Sequence, residues 1–393
     1  MRTITDRERR HRLMARHGLA EGHRPTTIDE AVRRLVVLHA TEAPSVHLSL
    51  AARVPGVVPE DVERALYDDR TLVKQLAMRR TLFGFPRDLL PAAWGSASAR
   101  IVGPQERAIA KEVVQHGVAD DGEAWLARAE AAVLDRLADG SALTARQLRE
   151  ELPEIEGRTQ ADPTRTWAVA QSFAPRVLTL LGSRGRLMRA GNEGHWRTSR
   201  PTWARTEHWL GEVPQPLDEQ AGYAELVRRW LEQFGPGTEA DLVWWLGATK
   251  AAVRRALVDV DAVEVVLESG EPAWVVPGDE DVAPEVAPAA ALLPVLDPTT
   301  MGWRGRDWYL PPHHTPYLFD SNGNGGTTAW WDGRIVGAWV QDAGEVRVLL
   351  QEDVGAEATA ALEAKAAELA DWLGDVVISS VYKSALMKGE QLP

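Results

Sequence analysis

The chain reads as an α+β protein, with three winged-helix modules in tandem and a C-terminal α/β cap. Three observations predict this. A run of amphipathic helices leads three times into a short two-strand segment. The surplus positive charge lies in the first half: Met1–Thr206 carries 32 Lys+Arg against 26 Asp+Glu, net +6, whereas Glu207–Pro393 carries 12 against 31, net −19, which together give the overall −13. A Pro/Ala/acidic linker, GDEDVAPEVAPAA at 278–290, then separates the third helical run from a final segment of strand-like pattern. The expected division is 1–100 for the first module, which also carries the candidate catalytic motif, 101–206 for the second, 207–280 for the third, and 281–393 for the cap with its long loop.

In the first module, helices are predicted at Thr5–His17, Thr27–Ala40, Ser45–Arg53 and Pro59–Tyr67. The last opens on Pro59 with Glu60 and Asp61 behind it, a favourable first turn. TLVKQLAMRRTLFGF, 71–85, mixes β-branched and large apolar residues and reads as two strands with a basic turn holding Arg79 and Arg80, and with Lys74 beside it. A connecting helix near Gln105–Gln115 leads to the second module. There Trp125, Ala129, Ala132, Val133 and Leu137 line one helix face, and Gly140 ends it. TARQLREEL from Thr144 and a longer helix over Thr164–Leu181, interrupted by Pro175, complete the helices. The expected wing spans Arg184–Thr198 with a turn at Asn192-Glu193-Gly194, and it carries Arg184, Arg186, Arg189, His195 and Arg197.

The third module is the most regular. Tyr223, Leu226, Val227, Trp230, Leu231 and Phe234 recur at helical spacing before Gly235-Pro236-Gly237 stops the helix. Thr238 and Thr249 read as N-caps of the next two helices. Strands at Val263–Leu267 and Ala273–Val276 flank an acidic turn, which suits a scaffold better than a phosphate contact. In the cap, strands are expected at Thr327–Trp331, Ile335–Val340 and Val346–Leu350, then a helix over Ala356–Leu373 and a strand at Val376–Val381.

Composition narrows the chemistry. At 393 residues and 45% hydrophobic content, the chain has ample material for several cores. Zero cysteines excludes disulfides, thiolate metal sites and thiol nucleophiles. The charged start MRTITDRERRHRLM has no apolar signal region, and no run approaches the roughly 18 apolar residues of a membrane helix. A cytoplasmic monomer with no membrane association is expected. Helices followed by a β-wing most often bind nucleic acid, and a basic half joined to an acidic half fits one face meeting a polyanion.

Two stretches hold candidate chemistry. The loop Leu293–Gly326 contains Asp297, Arg304, Arg306, His313, His314, Asn322 and Asn324. Its arginines suit phosphates and its SNGNGG run suits a hairpin probing a groove; equally, Asp297 and the arginines pair to hold the loop. His313-His314 lacks a third ligand at metal spacing, so no metal is expected. The second stretch is LHATEAPSVHLSLAAR, 38–53, where Pro44 breaks one helix from the next and leaves His39, Thr41 and Glu42 at the mouth of an apolar pair. By themselves these residues read either as caps and a hydrogen-bonded histidine or as a polar site.

Four stretches, RRLVVLHATEAPSVHLSLAARV, FGPGTEADLVWWLG, LLPVLDPTTMGWRGR and WWDGRIVGAWV, resemble the bacterial winged-helix DNA glycosylases that remove bulky alkylated bases and unhook interstrand crosslinks, the azinomycin-resistance type. The resemblance implies tandem winged helices forming a concave channel around double-stranded DNA, without metal or cofactor. It also implies a catalytic Gln-x-Gln or Gln-x-Asp motif, whose positions fall on His39 and Thr41; neither glutamine is present. In that setting His39 would take a proton from the attacking water, Thr41 would hold the same water, and Glu42 is a reserve base. Lys74, Arg79, Arg80, Arg184, Arg186, Arg189, His195, Arg197, Arg304, Arg306, Asn322 and Asn324 would meet DNA. The alternative functions are a non-catalytic DNA-binding protein or regulator, or a protein-interaction scaffold.

Overall fold

The computed structural model describes residues 2–160, 170–342 and 344–389. It is a mixed α+β chain in which one order of elements recurs three times: a helix, a short strand or bridge, two helices and an antiparallel hairpin. In the first copy these are Ile28–Leu35, Leu38–His39, Ala43–Ala51, Pro59–Glu63 with its continuation to Asp68, and the hairpin Leu72–Leu76 with Leu82–Pro86. In the second they are Gly122–Arg136, Leu143–Thr144, Ala145–Glu151, Ala174–Ser183, and Leu187–Asn192 with Pro201–Arg205. In both, the early short strand pairs with the last strand of the hairpin. The third copy uses Glu219–Phe234, Glu239–Leu246, Lys250–Asp259, and Val263–Leu267 with Pro272–Val275; its early strand is reduced to a bridge between Gly237 and Trp274. Residues Thr3–Ile4 add a parallel strand beside Val263–Leu267.

Local chemistry explains most boundaries. Thr27, Asp121, Thr144, Asp218, Thr238 and Thr249 each accept a backbone N–H from the first turn of their helix. Gly140 closes its helix at φ 82°, where a side chain would be strained. The helix expected over Thr27–Ala40 ends at Leu35, because Val36 turns to φ 61° and the β-branched pair Val36-Val37 feeds the strand Leu38–His39. The candidate motif thus lies on a strand and not at a helix end. The expected helix Thr164–Leu181 runs over Ala174–Ser183 with Pro175 in its first turn, and the part before Ala170 falls outside the described residues. The second hairpin is longer than the wing expected over Arg184–Thr198, returning as Pro201–Arg205 after a loop over 193–200.

The C-terminal region forms a four-stranded antiparallel sheet, Ala290–Leu293, Thr328–Trp331, Arg334–Asp342 and Glu345–Leu350, packed by the helix Gly355–Leu373. The strand expected at Val376–Val381 does not form. Gln341 holds that segment instead, donating from its side-chain amide to the Val376 carbonyl and accepting from Ile378 N–H. Among the described residues no helix is long and apolar enough to cross a membrane.

The second copy has its own core, built from Trp125, Leu148, Phe173, Val177 and Trp203 among others. The largest core, by contrast, joins distant segments: Leu13, Phe83, Trp94, Trp230, Phe234, Trp303 and Trp330 pack together. At its edge lies a fully buried ion pair. Arg53 donates to both oxygens of Asp297 at 2.7 and 2.9 Å, and neither side chain has any exposure. Ser49 and the Thr299 N–H also donate to Asp297, and Arg53 reaches the carbonyls of His17 and Ser49. Asp297 therefore pairs with Arg53 and not with the arginines of its own loop.

Candidate nucleic-acid interface

Strand alternation decides where the motif points. Leu38 and Ala40 belong to the small core with Val32, Val46 and Leu72, so His39 faces the opposite side, while Thr41 lies in the bend past the end of the strand. His39 pairs with Phe83 across the strands and lies 4.5 Å from its ring, 6% exposed. Its Nδ1 is buried without a hydrogen-bond partner. Burial, and then the nearby Arg79 guanidinium, push its pKa down to about 3, so the imidazole is neutral at physiological pH. Thr41 is exposed.

Glu42 is directed elsewhere. Its carboxylate accepts from Ser380 Oγ at 3.0 Å and from the N–H groups of Val381 at 2.6 Å and Tyr382 at 3.1 Å. It lines a pocket of about 90 Å³ with Ser45, Leu48, Val295 and Trp339, a pocket that includes neither His39 nor Thr41. Glu42 thus tethers a C-terminal segment that has no ladder of its own.

The expected cations fall into two groups. In one, guanidinium or ammonium groups lie near the hairpins without a carboxylate partner among the described residues. Lys74 sits 2.9 Å from the Tyr67 hydroxyl, and burial lowers its pKa to about 8. Across from it, Arg189 lies 4.5 Å over Trp203, its pKa lowered to about 10 by burial. Strands Leu72–Leu76 and Leu187–Asn192 touch, which brings the two cations to one seam. Arg79 and Arg80 form the tip of the first hairpin with φ of 53° and 60°. Tight hairpin turns usually fill that region with Asn or Gly, and each arginine there costs about 1–3 kcal/mol of backbone strain. Arg186 and Arg304 are exposed.

In the other group the side chains are already engaged. Arg184 is held by Glu106 at 2.8 Å and Glu130 at 2.6 Å. Arg197 donates to the Val377 carbonyl, and the exposed His195 rests beside Trp196, whose indole packs between His47 and Trp372. The loop of the second hairpin therefore docks on the chain's own C-terminal region. Asn322 and Asn324 belong to a turn clasped by Asp320, which accepts from both their N–H groups and from the Asn324 amide. Burial opposes the Asp320 charge, but these hydrogen bonds prevail and hold its pKa below the usual carboxylate range.

Arg306 adds a feature that the sequence did not reveal. Its guanidinium lies 4.5 Å from the Phe319 ring and 5.2 Å from that of Trp244, which also carries Arg79 at 4.0 Å. Trp244 was legible only as part of a helical pattern. Its neighbour Trp245 is buried with Leu242 and Leu246, which leaves Trp244 as the outward tryptophan of an otherwise inward-packed helix.

A family model, DNA glycosylase AlkZ-like, matches residues 32–372. Among solved structures, the Streptomyces sahachiroi DNA glycosylase AlkZ is similar in fold, with a TM-score of 0.74 at 21% identity, over 95% of this chain and 97% of that one. A comparison with curated proteins finds no match.

Proposed function

The chain belongs to the AlkZ-like DNA glycosylase family, and from that premise we propose that it hydrolyses the N-glycosidic bond of alkylated purines, bulky crosslinked ones included, in double-stranded DNA. The observation that carries this reading is the position of His39. A neutral imidazole with an unpartnered Nδ1 lies two residues before the exposed Thr41 and is paired to the hairpin that carries Arg79 at its tip. A histidine already neutral can accept a hydrogen bond from water, and its lowered pKa suits it to take the proton only once the C1′–O bond has formed and made that water strongly acidic.

The chemistry follows from the leaving group. An N7-alkylated purine is cationic, so the C1′–N9 bond breaks with its electron pair going to the base, which departs neutral. Water adds to the oxocarbenium-like C1′, forming the C1′–O bond, and its proton passes to His39. Thr41 orients that water through its hydroxyl. Glu42 is assigned the tether and not the base. Glu42→Gln retains an acceptor oxygen and is expected to keep base release within about threefold, whereas Glu42→Ala is expected to make the segment around Val381 protease-sensitive; a Glu42→Gln variant that released no base would restore Glu42 to the chemistry.

Each of the three recurring units is read as a winged helix, supported by the shared order of elements and by the early strand joining the last strand of the hairpin. The division at 1–100, 101–206, 207–280 and 281–393 is kept, with the enzyme acting as a cytoplasmic monomer. Lys74, Arg79, Arg80, Arg186, Arg189, Arg304 and Arg306 are assigned to the DNA backbone, and Arg184 to internal pairing. His195, Arg197, Asn322 and Asn324 are assigned to shaping the loops around the groove.

The test is release of free base from a duplex carrying 7-methylguanine, run beside one carrying a bulky purine crosslink. Release with formation of an alkali-labile abasic site, absent from undamaged duplex, is the expected result. Salt-sensitive binding without release from either duplex would instead identify a non-catalytic DNA-binding protein.

A further inference from the structure

Arg79 and Arg306 come from distant parts of the chain and meet over one indole. The tip of the first hairpin brings Arg79 to 4.0 Å from Trp244, and the loop after Trp303 brings Arg306 to 5.2 Å from the same ring. Both approaches are built in. Gly247, at φ 63°, closes the helix that carries Trp244, and a Cβ there would lie 3.0 Å from the Arg79 side chain and 3.2 Å from its backbone nitrogen. On the same helix, Asp241 accepts from the N–H groups of Arg304 at 2.8 Å and Gly305 at 3.0 Å, which fixes the start of the loop holding Arg306.

The two guanidiniums repel, and among the described residues they lie against the rings of Trp244 and Phe319 and against no anion. No carboxylate pairs with either among the described residues, and burial and Arg306 both disfavour the charge on Arg79. Arg79 Nε and Arg306 Nε and Nη2 are buried without partners. A guanidinium lying against an aromatic face keeps its in-plane N–H edge free for an oxygen acceptor. Two guanidiniums gathered on one indole suit a tetrahedral anion, which would supply acceptors for their N–H groups and cancel the repulsion together. His39 pairs with Phe83 on the hairpin whose tip carries Arg79, so such an anion would lie on the same hairpin as the reacting sugar.

We propose that Arg79 and Arg306, seated on Trp244, form a clamp for a single phosphodiester of the strand whose damaged nucleotide faces His39. This rests on the glycosylase reading and adds a site that sets the register of that strand. The lesion sugar is thereby positioned by its own backbone and not by a pocket for the base, which leaves room for large adducts.

The experiment is a binding scan with duplexes that carry a tetrahydrofuran abasic analogue, so that no base can be released. Each phosphate near the analogue is replaced in turn by a neutral methylphosphonate. For the unaltered protein, one position is expected to weaken binding by about tenfold or more. Arg79→Gln, Arg306→Gln and Trp244→Leu should each become indifferent to that same position. The slope of log affinity against log salt should fall by about 0.9 in the double arginine variant, against about 1.8 if each arginine neutralised its own phosphate. Different positions for the two arginines, or no sensitive position at all, overturn the clamp. Arg306→Lys, which keeps the charge and loses the fork, should be as indifferent as Arg306→Gln; retained sensitivity there argues against a forked contact. Thermal melting confirms that each variant is folded. A shared position without release of 7-methylguanine would defeat the glycosylase reading and leave the clamp standing, whereas release without a shared position would do the reverse.

Discussion

His39→Ala is expected to reduce release of 7-methylguanine from duplex DNA by about 100-fold or more, while affinity for the duplex changes by less than about threefold. General-base assistance contributes on the order of 10²–10⁴ in rate, and binding is carried by other residues. The split between rate and binding is the diagnostic part. The pH profile gives a second check, and its sign follows from burial. Because the imidazole pKa is lowered to about 3, the form that accepts a proton persists as pH falls, and release should stay level from pH 8 to pH 5. A histidine with an ordinary pKa near 6.5 would by then have lost most of its basic form. The same shift destabilises the fold in acid: below pH 6.5 the unfolded chain takes up the proton first, so the stability present above 6.5 declines as pH falls towards 3. His39→Ala should lessen that decline. Release by the alanine variant at the full rate would remove His39 from the mechanism.

Asp297→Ala is expected to cost about 3–5 kcal/mol of stability in urea denaturation, and Arg53→Ala a similar amount. Either change leaves the surviving charge buried among groups with no exposure. Replacing both partners together, Arg53→Met with Asp297→Leu, should cost distinctly less than either single loss, since no isolated charge remains. Base release should suffer alongside stability, because the pair fixes the helix Ala43–Ala51, immediately after the motif, against the helix Pro298–Met301. Equal costs for the double and the worse single variant would show that the pair itself, not the orphaned charge, supplies the stability.

These two residues also mark where sequence reading reaches its limit. Periodicity and caps located the helices of the third unit nearly to the residue, since Thr238, Thr249 and the Tyr223–Phe234 face are local signals. The first hairpin, with Arg79 and Arg80 in its turn, was equally plain. The end of the helix before His39 was misread because Leu35-Val36-Val37-Leu38 continues an apolar run, and only pairing with Leu82–Pro86 turns its second half into strand. Val376–Val381 failed for the opposite reason: β-branched residues favour a strand, yet the side chain of Gln341 meets their backbone before a neighbouring strand can. Partners far apart in sequence were invisible. Nothing near Arg53 announces Asp297, nothing at the end of the helix Ala174–Ser183 announces that Arg184 meets Glu106 and Glu130, and nothing near Arg79 announces that Arg306 shares its indole. Of the candidate site, residue types were legible from the motif and its resemblance, but the opposite directions of His39 and Glu42 depend on which strand each neighbour joins.

Thr3 and Ile4 lie against Val266 and Leu267. Thr3–Ile4 are therefore made well before their partner, which follows roughly 13–50 s later at about 5–20 residues per second. Ile4, buried completely in the finished fold, lacks its strand partner throughout that interval. The sheet of the third unit is thus completed by joining its earliest-made strand to its latest pair.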